Sequence, residues 1–245
     1  MNILILGATS DIGRALALRL AKAGDHYLLA ARDAAEGEAA ARDLAIRTGA
    51  EAAFVAFDAC DLEGHRAFIA GAVGRLGGLD GVIVCFGHLG AQAAAQADFE
   101  EAARIIGVNF TAAVALLEPV ASHLEERGAG FILGLTSVAG ERGRRSNYIY
   151  GAAKGAFTTY LEGLAHRLAP RGVRVKIAKL GFVRSKMTRG LSLPRFLEST
   201  PEEAAGGILR LLRSRRQAAY IPARWALVMA VIKALPASIF NRSNL

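Results

Sequence analysis

Apolar residues in this chain come in short unbroken runs, separated by stretches in which they recur every three or four positions. NILILG is the first such run, and RALALRLAKAG after it has helical spacing. The alternation then repeats. HYLLAARD precedes AAEGEAAARDLAIRTG, EAAFVAFDACD precedes LEGHRAFIAGAVGRLG, and LDGVIVCFGHLG precedes the long stretch ADFEEAARIIGVNFTAAVALLEPVASHLEERG. GAGFILGLTS and RGVRVKIAKLG read as a fifth and a sixth strand, with a helix between them running to about Ala169. TPEEAAGGILRLLRSRR has the Thr-Pro-Glu start of a helix, and AAYIP is a short seventh strand. Strands alternating with helices predict an α/β fold, a single doubly wound domain over residues 1–245. Its mostly parallel seven-stranded sheet would carry helices on both faces. Pro119 predicts a kink in the longest helix.

The first strand ends in a glycine-rich turn that opens a helix, the arrangement that receives a dinucleotide pyrophosphate in Rossmann-type domains. Gly7 permits the turn, Gly13 lets backbone approach phosphate, and Thr9 and Ser10 offer hydroxyls. Asp11 and Ile12 complete the turn. About 20 residues on, an acid would hold a ribose 2′-hydroxyl, whereas an arginine accommodates a 2′-phosphate. The second strand ends Ala31-Arg32, which favours NADPH without excluding NADH; as a bare strand-end charge, Arg32 would be merely solvated. Asp33 reads as a helix cap. Asp58 and Ala59 end the third strand beside the expected adenine site, although Asp58 or Asp61 would serve equally as a cap for the next helix. Phe86 and Gly87 end the fourth strand, at the crevice where strand order reverses.

Composition narrows the function classes. The chain has 245 residues, enough for one full core, and 53% are hydrophobic, which argues against disorder. Met1 leads directly into a strand rather than a basic leader, so no secretory signal is expected. Cys60 and Cys85 are too few for a disulfide framework and suit a reducing cytoplasm. His26, His65, His88, His123 and His166 show no metal-ligand spacing, and no metal is assigned. A net charge of +8 and a pI of 9.9 favour anionic partners. Lys and Arg are spread along the chain without a nucleic-acid motif, so no nucleic-acid partner is expected.

The chemistry concentrates in LTSVAGERGRRSNYIYGAAK, Leu135–Lys154. Ser137, Tyr150 and Lys154 stand there at offsets of 13 and 4. Residues four apart share a helix face, so Lys154 would stack beside Tyr150. An ammonium next to a phenol stabilises the phenolate, as a general acid–base needs, and Ser137 would bond the same reacting oxygen. Asn109, amid apolar neighbours in the long helix, needs partners for its amide; a structural water or a catalytic relay would both serve.

With these motifs the chain resembles the short-chain dehydrogenase/reductase family over nearly its whole length. The resemblance implies a catalytic set of Asn109, Ser137, Tyr150 and Lys154. Tyr150 would donate a proton as hydride leaves the nicotinamide. Lys154 would lower the tyrosine pKa and hold the ribose, Ser137 would steady the substrate oxygen, and Asn109 would order a relay water. It also implies that backbone near Val183 and the Ser185 hydroxyl bind the nicotinamide amide, and that the protein forms a homodimer or homotetramer. Three positions depart from the family pattern. Asp11 replaces a glycine, which is unfavourable near pyrophosphate unless the carboxylate points away or pairs with a base such as Arg14. Val84-Cys85-Phe86-Gly87 replaces Asn-Asn-Ala-Gly, and Leu180-Gly181 replaces Pro-Gly.

FGHLG, NFTAAV, SVAGERGRRSNYIYG, GFVRSKMT and the tail are similar to one branch, the reductase subunit of the polyprenylphosphoryl-ribose 2′-epimerase. That likeness implies reduction of a lipid-phosphate-linked 2-keto pentose, produced by an oxidase partner, to the arabinose form. Arg142, Arg144 and Arg145 would meet the lipid phosphate, or be a solvated loop. The alternatives are a reductase or dehydrogenase for soluble or fatty ketones and alcohols, and a non-catalytic cofactor-binding sensor or scaffold. FVRSKMTRGLSLPRFLES follows the sixth strand and reads as a mobile substrate lid. The apolar tail, residues 223–245, is too short and too interrupted by Lys233 and Pro236 to span a bilayer. It would pack on protein, or lie at the inner face of the membrane with Trp225 and Phe240 buried in lipid and Arg224, Lys233 and Arg242 toward headgroups.

Overall fold

The computed structural model describes residues 1–191 and 194–243. Ser192 and Leu193 of the expected lid, and Asn244 and Leu245 of the tail, lie outside the described residues.

The chain runs β1 (Asn2–Leu6), α1 (Asp11–Leu20), β2 (His26–Ala31), α2 (Ala34–Thr48), β3 (Glu51–Ala56), α3 (His65–Leu76) and β4 (Gly81–Val84). It continues with α4 (Gln92–Ala97), α5 (Phe99–Ile106), α6 (Ala112–Arg127), β5 (Gly130–Ser137), α7 (Tyr148–Leu168) and β6 (Val173–Leu180). The remainder is β7 (Phe182–Val183), β8 (Glu198–Ser199), α8 (Pro201–Arg213), β9 (Ala218–Ile221), α9 (Trp225–Ala234) and α10 (Ala237–Phe240). Seven strands form one parallel sheet in the order β3-β2-β1-β4-β5-β6-β9, as the alternation of the sequence predicts. Successive residues of a strand face opposite sides, so Leu4 and Leu6 pack with α3, α6 and α7, while Ile3 and Ile5 pack with α1, α2 and α8. The reversal of strand order falls between β1 and β4, which opens a crevice at their carboxyl ends.

The long helical run is irregular, though not at Pro119. α6 continues through Pro119, and a π-helical turn spans Gly107–Thr111 instead. Asn109 Nδ2 donates to Ile105 O at 2.8 Å, the carbonyl an unbroken α-helix would offer to the Asn109 backbone N–H. A side chain inserted into the ladder is a sufficient cause for the extra residue. The whole run Phe99–Arg127 is long and apolar enough to cross a membrane by length and composition. Here Ala112, Leu116, Val120 and Leu124 lie one turn apart and are fully buried in the core.

The tail packs on its own domain, the first of its two expected places. Trp225 is 1% exposed and packs inside the protein, with its Nε1–H donating to Leu197 O at 3.2 Å and its ring edge-on to Phe182 at 4.8 Å. The space it fills is left by Gly181, where a Cβ would lie 1.9 Å from the indole nitrogen. Phe240 lies under the Arg142 guanidinium at 3.9 Å. The expected lid has structure of its own, because β7 and β8 pair as a separate parallel two-stranded sheet.

Candidate active site

Gly7 closes the first turn with φ 80°, and a Cβ there would lie 2.5 Å from Phe86 N, so the ends of β1 and β4 touch through bare backbone. Ser10 caps α1: its Oγ accepts from Gly13 N at 3.1 Å and donates to Gly7 O at 2.8 Å. The hydroxyl therefore closes the turn itself. Gly13 is confined by this closure as well, since a Cβ would meet Ser10 Oγ at 2.8 Å and Gly7 O at 2.9 Å. Thr9 and Ile12 are half-buried beside it.

The Asp11 carboxylate points away from the turn. It accepts from the backbone N–H of Lys186 at 2.6 Å, rather than pairing with Arg14. Arg14 instead approaches Glu36 at 4.0 Å, and the Lys186 ammonium pairs with Glu36 too. Asp33 caps α2, as expected, by accepting from Glu36 N at 2.8 Å. Arg32 is exposed at the end of β2, and no acid among the described residues forms an ion pair with it. The Asp58 carboxylate is used locally, accepting from Cys60 N at 2.9 Å, and Asp61 accepts from Gly64 N at 3.2 Å just ahead of α3. Ala59 is buried, and Phe86 packs on Phe57 at 5.8 Å. A glycine turn opening a helix, an acid bonded to the Lys186 N–H and an arginine at the strand end that pairs with no acid among the described residues together fit a nicotinamide dinucleotide.

Across the crevice, β5 delivers Ser137 at its last position and α7 carries Tyr150 and Lys154 on one face. Ser137 Oγ accepts from Ala139 N at 3.1 Å, and its hydroxyl also meets the Tyr150 phenol. Lys154 is 4% exposed and donates to Leu135 O at 3.1 Å, with Nζ 5.9 Å from the Tyr150 ring centroid. Gly87 leaves room between the two halves, because a Cβ there would lie 2.9 Å from Asn109 Oδ1 and 3.4 Å from Lys154 Nζ. The structure thus brings Asn109, Ser137, Tyr150 and Lys154 to one end of the sheet.

Burial dominates their electrostatics. It pushes the Tyr150 phenol up to about 12, against a smaller downward pull from Ser137. It pulls Lys154 down to about 8, against a smaller upward pull from Cys85, whose own thiol burial pushes up to about 12. Burial is the larger influence on the Tyr150 phenol in this arrangement, and the Ser137 hydroxyl is the group that opposes it.

Arg142 and Arg144, beside the site, are both bonded to the tail. Arg142 donates to Ile232 O and to Lys233 O, the latter at 3.2 Å, and buried Arg144 reaches Met229 Sδ at 3.4 Å. Both hold α9, and Arg145 is exposed. At the far side, the Ser185 backbone N–H donates to Thr188 Oγ1 at 3.0 Å, and Thr188 donates to Val183 O at 2.7 Å, so the two residues expected at the nicotinamide amide are bonded within their own turn.

Two residues escaped the sequence reading. Lys186, anchored at Asp11 and Glu36, carried only the signal of an unexplained acid at position 11. Glu141, whose carboxylate takes Lys179 Nζ at 2.6 Å, Tyr220 Oη at 2.5 Å and Lys233 Nζ at 3.4 Å, had no signal at all.

Comparison with known proteins agrees with this geometry. Residues 1–195 match the family described as short chain dehydrogenase. An uncharacterized oxidoreductase of Mycobacterium tuberculosis is 38% identical over 98% of this chain and 96% of its own length. A short-chain type dehydrogenase/reductase from Mycobacterium marinum superposes with a TM-score of 0.80 at 25% identity, covering 89% of this chain and 92% of that one. Actinorhodin polyketide ketoreductase, solved with NADPH, shares the fold with a TM-score of 0.78 at 22% identity, over 90% and 95% of the two chains. The parallel seven-stranded sheet, the glycine turn at its switch point and the full-length relatives lead to one conclusion: the chain belongs to the short-chain dehydrogenase/reductase family and is an NAD(P)-dependent oxidoreductase.

Proposed function

We propose that this chain is a carbonyl reductase in which Tyr150 is the general acid, and that its ketone is a 2-keto pentose linked through phosphate to a polyprenyl lipid. The observation that carries the catalytic part is that α7 holds Tyr150 one turn from buried Lys154, whose Nζ donates to Leu135 O at 3.1 Å and lies 5.9 Å from the Tyr150 ring. The nicotinamide cofactor, bound by residues 7–13 and Arg32, supplies the hydride. Tyr150 gives its phenolic proton to the carbonyl oxygen, which completes the alcohol and leaves a phenolate. Ser137 donates a hydrogen bond to that same oxygen. The Lys154 ammonium stabilises the phenolate, and Asn109 holds the water from which the phenol is reprotonated.

The substrate part is supported by the branch-like segments and by an amphipathic edge. Phe196, Leu227 and Val231 are 76%, 74% and 56% exposed there, and Arg195, Arg224 and Lys233 stand among them. Such an edge suits an anionic lipid at the cytoplasmic face of a membrane, where an oxidase partner would supply the ketone. A second copy would cover the α5–α7 face around exposed Phe99 and Tyr148.

The test follows NADPH oxidation with a farnesylphosphoryl 2-keto pentofuranose and, separately, with cyclohexanone. Turnover of the keto sugar that Tyr150→Phe abolishes, with NADPH binding intact, is the expected result. Turnover of cyclohexanone alone moves the assignment to soluble ketones. Full activity of Tyr150→Phe overturns the mechanism, and NADPH binding without turnover of either ketone favours a sensor or scaffold.

A further inference from the structure

The loop after β4, Gly87-His88-Leu89-Gly90, is built around an acid–base pair that the reaction above does not use. His88 Nε2 lies 2.9 Å from Glu101 Oε1, with the two side chains 30% and 22% exposed. The loop holds this pair by leaving out side chains on either side of it. Gly90 has φ +63°, and a Cβ there would lie 2.5 Å from Glu101 Oε1 and 2.5 Å from Ile105 Cδ1. Gly87, at the other end, makes room for Asn109 Oδ1 and Lys154 Nζ.

His88 is also where Asn109 is held. The His88 N–H donates to Asn109 Oδ1 at 3.3 Å, and the His88 carbonyl accepts from Asn109 Nδ2 at 2.6 Å. Both ends of the amide are therefore fixed to the backbone of one loop residue, whose polar side-chain tether among the described residues runs to Glu101 on α5. Glycine flanks at 87 and 90 give the loop little stiffness of its own, so the tether decides where the His88 peptide sits. Asn109 is 1% exposed and sits in the π-helical turn, where an amide that loses a hydrogen-bond partner is costly.

We infer that His88, tethered by Glu101, is a positioning residue for Asn109 and, through Asn109, for the proton path to Lys154 and Tyr150. His88 acts without touching substrate or cofactor. The inference rests on the relay role proposed above for Asn109. Its structural half, the tether, can be tested without any turnover.

Two measurements decide it. Backbone hydrogen exchange is followed over residues 85–91 in the wild type, His88→Ala, His88→Gln and Glu101→Ala. Steady-state kinetics are run on the same four proteins with the ketone that the wild type reduces, alongside NADPH affinity by fluorescence. Faster exchange is expected in His88→Ala and Glu101→Ala, with kcat lower by about tenfold and NADPH affinity unchanged. His88→Gln, whose amide N–H reaches Glu101, should recover both. Wild-type exchange in Glu101→Ala overturns the tether. Faster exchange with undiminished kcat overturns the catalytic consequence, as does a His88→Gln variant that exchanges slowly yet remains as slow in turnover as His88→Ala. If no ketone is reduced by the wild type, the function proposed above fails, and the exchange data still decide the tether. Glu101→Ala, a half-buried change on α5 that leaves His88 in place, keeps the question open to measurement if His88→Ala does not fold.

Discussion

The backbone N–H of Lys186 donates to the Asp11 carboxylate at 2.6 Å, joining the segment after β7 to the glycine turn 175 residues earlier. The Lys186 ammonium adds a second attachment at Glu36. The acid at position 11 therefore ties the segment after β7 to the glycine turn. Asp11→Gly should free this segment and raise the NADPH dissociation rate by roughly threefold to tenfold, the worth of one partly exposed charge-assisted bond. Stopped-flow fluorescence reads the rate directly. A rate unchanged in Asp11→Gly would mean that this tie does not gate release.

Arg32 stands exposed with no acid paired to it, where a 2′-phosphate would lie. Arg32→Asp should weaken NADPH by about tenfold or more while leaving NADH within error, since only the former carries the extra phosphate. Parallel fluorescence titrations check this. Equal losses for both cofactors would remove Arg32 from the selectivity argument.

Lys154 titrates near 8 because burial disfavours its charge, against an ordinary value of 10.5. Between those two values the unfolded chain binds a proton that the folded chain does not, so stability should rise with pH over that window. Lys154→Met should remove this slope and melt higher than the wild type at neutral pH. It should also lower kcat by about a hundredfold or more, because the phenolate loses its cation. In the wild type, reduction should slow as pH rises through about 8 and the ammonium is lost. A flat wild-type profile across that range would contradict the role given to Lys154.

Burial alone would raise the Glu141 carboxyl, but hydrogen bonds from Lys179 and Tyr220 outweigh it and hold the group below the ordinary carboxylate range. The stability it contributes is present above the ordinary carboxylate pKa and is lost as pH falls through the depressed value. Glu141→Gln should cost about 3 kcal/mol near neutral pH and flatten the acid limb, because Lys179 is left without its counter-charge. Denaturant titrations at neutral and acidic pH measure both effects.

Gly181 meets the Trp225 indole with no room for a methyl group. Gly181→Ala should destabilise by about 1 to 3 kcal/mol through overpacking and loosen α9, which limited proteolysis of the tail would report. Trp225→Phe in the same background should recover part of the loss.

The sheet order and the two-faced core were legible because they rest on local repetition: apolar runs for buried parallel strands, three- and four-residue spacing for the helices that cover them. Ser137, Tyr150 and Lys154 were legible for the same reason, since a strand end and one helix face carry them at short separations. Asn109 was visible as a polar residue in an apolar stretch, but its π-helical turn depends on competition for the Ile105 carbonyl, which spacing does not reveal. The misreadings were all long-range. Arg142 and Arg144 resemble surface residues until α9 comes back across 85 or more positions to meet them, and Trp225 does so until it meets Leu197, 28 positions away. Glu141 and Lys186 mattered only once four separate elements met at one carboxylate and a distant turn met a strap.

What this sequence determined by itself was its class of fold and the chemistry at its centre, because periodicity and short spacings survive without three-dimensional context. What only the tertiary structure decided was the destination of each charge: which arginine holds the tail, which acid holds the strap, and how far burial moves Tyr150 and Lys154. Charge pairing and desolvation depend on neighbours that the chain supplies from far away, and folding alone brings those neighbours into contact.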